Sequence, residues 1–101
     1  MAMIEISVLP VGTPTPSLSR YVAGAVKLLQ NEKGVKYELT AMGTIIEGDL
    51  ERLLALAQKM HRSAFDAGGQ RVVTTIKIDE RLDKPLTIEG KVKAVKEKLK
   101  R

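Results

Sequence analysis

The sequence has no cysteine and no tryptophan, and it contains only one histidine, one phenylalanine and two tyrosines. Without cysteine there can be no disulfide, no thiolate nucleophile and no cysteine-ligated metal site. Because His61 is the single histidine, a histidine-based metal centre or a Ser/His/Asp triad within one subunit is not expected. The core must be aliphatic, and we expect neither a metal nor a cofactor.

Long hydrophobic runs are also absent. No signal-like apolar stretch follows the N-terminus, and no run approaches the roughly 20 apolar residues that span a bilayer. We therefore expect a soluble, cytoplasmic protein with no membrane partner. A chain of 101 residues with 44% hydrophobic residues is long enough for one folded domain and too short for two, so residues 1–101 are expected to form a single domain.

Basic residues exceed acidic residues only near the end of the chain. The formal net charge is +5, and residues 1–80 hold nine basic and nine acidic residues, whereas residues 81–101 hold eight basic and three acidic ones. A surface that follows phosphates usually adds aromatic residues for base stacking or an arginine-rich helix, and neither is present. We interpret the basic tail as the solvated face of a helix, and nucleic acid is not an expected partner.

Four segments show the alternation of apolar and polar residues that predicts β-strands. In the first of them, Ile4, Ile6 and Val8 share one face. The second and third are joined by a predicted tight turn at Met42-Gly43. The four predicted strands cover residues 3–9, 35–42, 43–47 and 71–79.

Three further segments have apolar residues at helical spacing. The first helix is predicted over residues 18–33, with Ser17 as its N-cap and a stop at Gly34. The second helix follows a cap at Asp49, and the third follows a cap at Thr87. The residues of the third helix that are predicted to point inward are Ile88, Val92, Val95 and Leu99.

The order β-α-β-β-α-β followed by a helix predicts an α+β fold, the ferredoxin-like βαββαβ sandwich, with an additional C-terminal helix. In that fold two helices cover one face of an antiparallel sheet, and the other face stays open. A half-apolar open face predicts self-association. The residues expected on this face are Met3, Glu5, Ser7, Leu9, Thr40, Met42, Val73 and Thr75.

No pattern in the sequence predicts catalysis. His61 lies at the edge of an apolar helical stripe, where a histidine is usually structural, and no carboxylate has a spacing that would make it a base. Glu47 and Asp49 do not form an acid–base pair, because Asp49 is already assigned to a helix cap. The glycine-containing loops lack the closing Gly-Lys-Ser/Thr of a phosphate loop. We therefore predict no catalytic residue.

Small polar residues at the ends of strands and helices are the candidates for ligand binding. Hydroxyls and backbone donors can orient the ring nitrogens of a heterocycle, while a carboxylate accepts from an amino group. Ser17 and Ser19 could also hold an anion at the start of the first helix, but a plain N-cap is the favoured explanation there. From the residues alone, small-molecule binding and a purely structural role both stay open. The candidates are Thr13, Ser17, Ser19, Thr44 and Glu47.

Three stretches of the sequence resemble the thiamine-binding protein family, the YkoF-like proteins. They are LPVGTPTPSLSRYVAGAV (residues 9–26), YELTAMGTIIEGD (37–49) and RVVTTIKIDERLDKPLTIEGKVKAV (71–95). The most specific part is MGTIIEGD together with the preceding P-x-G-T loop. The resemblance implies a ferredoxin-like fold, homotetramers built as a dimer of dimers, and binding of thiamine or its hydroxymethylpyrimidine moiety without turnover.

The resemblance also implies a ligand site when its motifs are carried over to this chain. We hypothesise that Glu47 accepts from the amino group of the pyrimidine and that Met42 packs on the ring. Thr44 and the backbone near Gly43 would then bind the ring nitrogens. The implied positions are Gly12, Thr13, Ser17, Ser19, Met42, Gly43, Thr44 and Glu47.

This chain departs from the family pattern in its loops. Pro14 and Pro16 stiffen the first loop, and Ala41 stands where many relatives are expected to have proline. Because a changed loop can alter which ligand fits, an alternative function stays open, namely a structural or regulatory oligomer that binds an unrelated small metabolite or anion. An enzymatic function would require His61 to meet a carboxylate of another subunit.

Overall fold

The computed structural model describes residues 1–100, which form four antiparallel strands and three helices with their connecting loops. The strand order in the sheet is β2-β3-β1-β4, as in a ferredoxin-like α+β fold, and an additional helix follows β4. The predicted fold class is confirmed. The elements are β1 (Ala2–Pro10), α1 (Ser19–Lys27), β2 (Lys36–Leu39), β3 (Thr44–Gly48), α2 (Leu50–Asp66), β4 (Val72–Glu80) and α3 (Ile88–Leu99).

The core lies between one face of the sheet and the helices α1 and α2. In the sheet, Ile4 of β1 lies opposite both Ile46 of β3 and Ile78 of β4. The alternation of β1 therefore aims Ile4 and Ile6 at the helices, where both are buried. The helices contribute aliphatic side chains to the same cluster, namely Ala25, Leu29, Leu53, Leu56, Ala57 and Met60.

The first helix is shorter than the predicted segment over residues 18–33. It ends at Lys27, and the following residues form tighter turns, in which Gln30 N donates to Lys27 O and Glu32 N donates to Leu29 O. The prediction of Ser17 as N-cap is wrong, because Leu18 occupies that position and no side chain caps the helix. Instead, the Ser17 N–H donates to the Thr15 hydroxyl.

The other two helices begin at the residues that the sequence predicts. Asp49 precedes α2 with extended backbone geometry, but its carboxylate makes no capping hydrogen bond. Thr87 precedes α3, and its hydroxyl accepts from Gly90 N at 3.0 Å. Only Thr87 therefore acts as a side-chain cap. Within residues 1–100, no helix is both long and apolar enough to cross a membrane.

The third helix lies over the face of the sheet that was expected to stay open. Lys91 pairs with Asp79 of β4. Residues of α3 also share a groove of about 550 Å³ with Met3 and Ile45 of the sheet. The helix packs loosely, since none of its residues is buried. The apolar residues of α3 that were predicted to point inward do line this groove, but they are not buried: Val92 is 47% exposed, Val95 58% and Leu99 77%.

Candidate functional site

The hairpin between β2 and β3 is held together by the hydroxyl of Thr40. This hydroxyl donates to Gly43 O at 2.7 Å and lies within hydrogen-bond distance of the N–H groups of Met42 and Gly43, at 3.3 and 3.2 Å. The chain turns where the sequence predicts, but the tight turn at Met42-Gly43 is wrong in its length, because β2 ends at Leu39 and residues 40–43 form the connection. A side chain on Gly43 would place its Cβ 3.1 Å from Ile6 O, so glycine allows the hairpin to lie close to β1.

A pocket of about 300 Å³, which we call the hairpin pocket, lies between this hairpin, β1 and the two core helices. Its size is at the lower end of the range for small-molecule sites. Three of the predicted site residues line it: Met42, Gly43 and Thr44. Its apolar walls come from elements that are far apart in sequence, and include Ile6, Val8, Leu18, Val22, Leu39 and Met60.

The lining of the hairpin pocket suits a flat, neutral ring. None of the residues that line it carries a charge. The Thr40 hydroxyl is already used by the turn, which leaves the hydroxyls of Ser7 and of the buried Thr44 among the lining residues. Because moving an unpaired charge into apolar surroundings is costly, the pocket disfavours a cation in its interior. Met42 is almost fully exposed, so its side chain can fold over an occupant of the pocket.

The other predicted site residues of the loop after β1 lie in a different place. Thr13 and Ser17 line a separate cavity of about 290 Å³ with Arg20 and Tyr21. The Thr13 hydroxyl donates to a carbonyl within the loop, Thr15 O, at 2.7 Å. The structure therefore does not bring this group to the hairpin pocket.

Two further loop positions line neither cavity. Gly12 has a φ of 79°, in the left-handed region, and lets the chain turn as it leaves β1. The Ser19 hydroxyl lies 3.4 Å from that of Ser17, at the first residue of α1. Their part in a ligand site stays a prediction.

Glu47 lies on the opposite face of the sheet from Thr44. It pairs with Met3, whereas Thr44 pairs with Ile6, and Met3 and Ile6 point to opposite faces of β1. Glu47 is 4% exposed, and its Oε2 has no hydrogen-bond partner among the residues described. This placement on opposite faces could have been predicted from the sequence, because Thr44 and Glu47 are three positions apart in one strand and side chains an odd number of positions apart point to opposite faces. Within one protomer, the two side chains that the sequence analysis assigned to one ring are separated by the sheet.

Some residues of the hairpin pocket were missed by the sequence analysis. In the sequence, Leu18, Val22 and Met60 are ordinary members of apolar helical stripes. Only the packing of the helices shows that they line the pocket. Thr40 could have been found, because a threonine shortly before a glycine turn often bonds to the turn backbone.

The single histidine joins α2 to β4. Its Nδ1 makes a hydrogen bond with the Thr74 hydroxyl, and its ring meets the ring of Phe65 edge-on with 5.5 Å between the centroids. This placement agrees with the interpretation of His61 as a structural residue. Over residues 1–100, no cluster of three or more histidine or acidic side chains could hold a metal ion.

The chain matches a known protein family and several known proteins in sequence. The family model described as "Thiamine-binding protein" matches residues 4–96. The chain is 45% identical to the UPF0045 protein YqgV of Bacillus subtilis over 98% of each sequence. It is 43% identical to a UPF0045 protein of Methanothermobacter thermautotrophicus, over 98% of this chain and 100% of that one.

A solved structure shares the fold. The crystal structure of the hypothetical protein MJ1052 from Methanocaldococcus jannaschii superposes with a TM-score of 0.87 at 40% sequence identity. The match covers 95% of this chain and 96% of that one. The sequence relatives and the structural neighbour thus cover nearly the whole chain, including both strands of the hairpin.

Proposed function

The chain belongs to the thiamine-binding protein family, and on this premise we propose that it binds thiamine, or its hydroxymethylpyrimidine moiety, without turning it over. The observation that carries the proposal is the hairpin pocket. It contains Met42, Gly43 and Thr44 of the family-like stretch, and its walls are aliphatic. An apolar pocket with a few fixed polar groups is typical of small-molecule sites.

The two halves of thiamine would be treated differently by this pocket. The pyrimidine is flat and neutral, so it suits the aliphatic interior, with the Thr44 hydroxyl and backbone groups near Gly43 addressing its ring nitrogens. The thiazolium carries a positive charge, and no carboxylate lines the pocket to compensate for it. We therefore place the thiazolium at the mouth of the pocket, beside the exposed Met42.

Binding without catalysis is supported by the state of the chain's polar groups. General acid–base work needs a titratable side chain within reach of the bound molecule. The lining of the hairpin pocket offers hydroxyls and aliphatic groups, and His61 is engaged with Thr74 between α2 and β4. The polar groups of the pocket therefore fit recognition of a ligand better than its conversion.

We also propose that the protein acts as a homotetramer, a dimer of dimers, and that the remaining predicted site residues act through it. Glu47 can accept from the amino group of a pyrimidine in the hairpin pocket only if it comes from another copy, because the sheet separates it from Thr44 within one chain. The loop residues Thr13 and Ser17 line a separate cavity, so they too would reach a ligand in the hairpin pocket from another copy. Light scattering coupled to size-exclusion chromatography measures the number of chains in the particle.

Isothermal titration with three compounds tests the proposed function. Thiamine and hydroxymethylpyrimidine should each give a saturable heat, because both carry the ring that fits the pocket, and inorganic phosphate should give none. No heat with either pyrimidine compound would refute the proposal. Heat with phosphate alone would favour the alternative, an oligomer that holds an anion beside Arg20 in the cavity of Thr13 and Ser17.

A further inference from the structure

Strand β1 is longer than its neighbour β3. It pairs with β4 along its whole length, but with β3 only over residues 2–6. The edge of β1 that faces β3 therefore continues over residues 7–10 with no neighbouring strand in the part of the chain that the structure describes. Three of these residues, Ser7, Val8 and Leu9, line the hairpin pocket. One wall of the pocket thus contains a strand edge that no other strand covers.

The register shows that Val8 presents both of its backbone polar groups at this edge. Val11 N donates to Arg71 O at 2.8 Å, and these two residues continue the register of β1 and β4. Hydrogen-bonded pairs alternate along an antiparallel ladder, so the odd-numbered residues of β1 bond to β4 and the even-numbered ones point toward β3. Ile6 lies opposite Thr44 and uses its N–H and C=O in the ladder with β3. The N–H and C=O of Val8 point the same way, past the end of β3.

The hairpin turns away before it can pair with Val8. Met42 is the residue that would lie opposite Val8 if the register of β1 and β3 continued. Instead, the N–H of Met42 lies 3.3 Å from the Thr40 hydroxyl, within the turn. Among the residues described, no group makes a hydrogen bond with the N–H or C=O of Val8. Because Val8 is half-buried, water or an occupant of the pocket has to satisfy both groups.

We propose that the free backbone pair of Val8 recognises a cyclic amidine, a ring nitrogen next to an exocyclic amino group, in the hairpin pocket. The N–H of Val8 donates to the ring nitrogen, and its C=O accepts one hydrogen of the amino group. The flat ring takes the place that Met42 would have in a continued ladder. A strand edge suits this task because its donor and acceptor lie side by side and are held in position by the ladder to β4.

The order of donor and acceptor makes this contact selective. A 4-aminopyrimidine presents an acceptor and a donor at neighbouring positions of one edge, and these complement the N–H and C=O of Val8. In a 4-oxopyrimidine both are reversed, because the ring nitrogen carries a hydrogen and the exocyclic oxygen accepts. Like groups would then face each other. Turning the ring over would restore the match, but it would move the substituent on C5, which carries the thiazolium in thiamine, to the opposite side.

This inference rests on the proposed function and adds the groups that select the pyrimidine. The side chains that line the pocket include hydroxyls but no carboxylate and no amide, so within one chain the backbone is the source of a fixed acceptor. An amino group has two hydrogens, and the one that does not bond to Val8 remains for Glu47 of another copy. The second ring nitrogen of the pyrimidine remains for the Thr44 hydroxyl.

Titration of the natural chain with thiamine and with its 4-oxo analogue, oxythiamine, tests the selectivity. The two compounds have nearly the same shape and the same thiazolium, so only the edge of the pyrimidine differs. Thiamine should bind at least about tenfold more tightly, because a site that pairs with polar groups rejects a ligand that leaves them unpaired. Equal affinities would overturn this inference and leave the proposed function intact. No binding of thiamine or hydroxymethylpyrimidine would refute the proposed function and this inference with it.

Two substitutions at one position separate the backbone of Val8 from its side chain. Val8→Pro removes the N–H, whereas the control Val8→Ala shortens the side chain and keeps the N–H. The fold should tolerate proline, because the ladder to β4 does not use this N–H and Pro10 already occupies an equivalent position two residues further on. Thiamine should bind about tenfold more weakly to the proline variant than to the alanine variant. Equal affinities in two variants that circular dichroism shows to be folded would contradict the role of the N–H.

The amide resonance of Val8 gives a measurement that needs no substitution and serves if the proline variant does not fold. A hydrogen bond to the ring nitrogen should move the amide proton of Val8 downfield in the NMR spectrum when thiamine is added. The amide protons of Ser7 and Leu9 are the controls and should move less, because they bond to β4 in the free protein as well. A Val8 resonance that stays in place while thiamine is bound would overturn the inference.

Discussion

Thr44 occupies a position where its hydroxyl can matter for a ligand and matters little for the fold. It is buried in the sheet and lines the hairpin pocket, and its neighbour Thr40 already supplies the hydroxyl that the turn needs. Valine has nearly the same shape as threonine and lacks only the hydroxyl. Replacing Thr44 with valine therefore isolates the polar contribution of this residue.

We predict that Thr44→Val weakens the binding of hydroxymethylpyrimidine about fivefold, corresponding to about 1 kcal/mol for one lost hydrogen bond. The matched control is Thr75→Val, which makes the same exchange at an exposed position of β4. Titration calorimetry on both variants gives the two affinities. Equal affinities would remove Thr44 from the ligand site.

Glu47 poses a different question at the same scale. A buried carboxylate oxygen without a hydrogen-bond partner costs stability, and natural proteins rarely keep such a group without a use for it. On its face of the sheet, it lies opposite Met3 of β1 and Lys36 of β2. The proposed use is an amino group that a ligand held by another copy brings to it.

At the scale of elements, α3 depends more on its own sequence than α1 and α2 do. None of its residues is buried, so packing contributes little to holding it helical. What the sequence supplies is the hydrogen bond from Gly90 N to the Thr87 hydroxyl and the ion pair from Lys91 to Asp79. A change in the cap should therefore affect α3 without unfolding the sheet.

We predict that Thr87→Ala speeds amide hydrogen exchange in residues 88–99 about fivefold, because losing an N-cap side chain costs about 1 kcal/mol. The control is Asp49→Ala, since the Asp49 side chain makes no capping bond and exchange in α2 should change little. Hydrogen-exchange mass spectrometry measures both helices in one experiment. Faster exchange across the sheet as well would show that α3 unfolds together with the core.

At the scale of the whole molecule, stability is concentrated between the sheet and one face of α2. Leu53 and Leu54 are adjacent and chemically identical, and both belong to the apolar stripe of the sequence. In the structure Leu53 is 0% exposed and belongs to the core, whereas Leu54 is 39% exposed. Replacing each of the two leucines in turn therefore shows how much burial in this core contributes to the free energy of unfolding.

We predict that Leu53→Ala lowers the free energy of unfolding by about 2–5 kcal/mol, the usual cost of removing a fully buried leucine side chain. Leu54→Ala should lower it by less than about 1 kcal/mol, as for other partly exposed positions. Urea denaturation followed by circular dichroism, at equal protein concentrations, measures both. Similar losses for the two variants would mean that association or α3 buries Leu54 as well.

The fold could be predicted from the sequence in most of its parts. Alternation in β1 and β4 and helical spacing in α2 are strong local signals, and the elements appear in the predicted order. The first helix was predicted too long because its end was placed at Gly34, whereas the α-helix ends at Lys27 and 3₁₀-type turns carry the chain on, with Leu29 still buried. The candidate site was predicted less well, since only Met42, Gly43 and Thr44 of the eight positions line the hairpin pocket, while Thr13 and Ser17 line a separate cavity.

The sequence by itself determined the order of the elements, the faces of the strands and the family, because these depend on residue types and on spacing along the chain. Only the tertiary structure decided that Leu18 and Met60 meet the hairpin in one pocket, that Glu47 lies behind the sheet, and that α3 covers the other face. A periodic pattern states which face a residue is on. Which residues from other parts of the chain it contacts depends on how the elements pack. A local pattern contains no information about such long-range contacts.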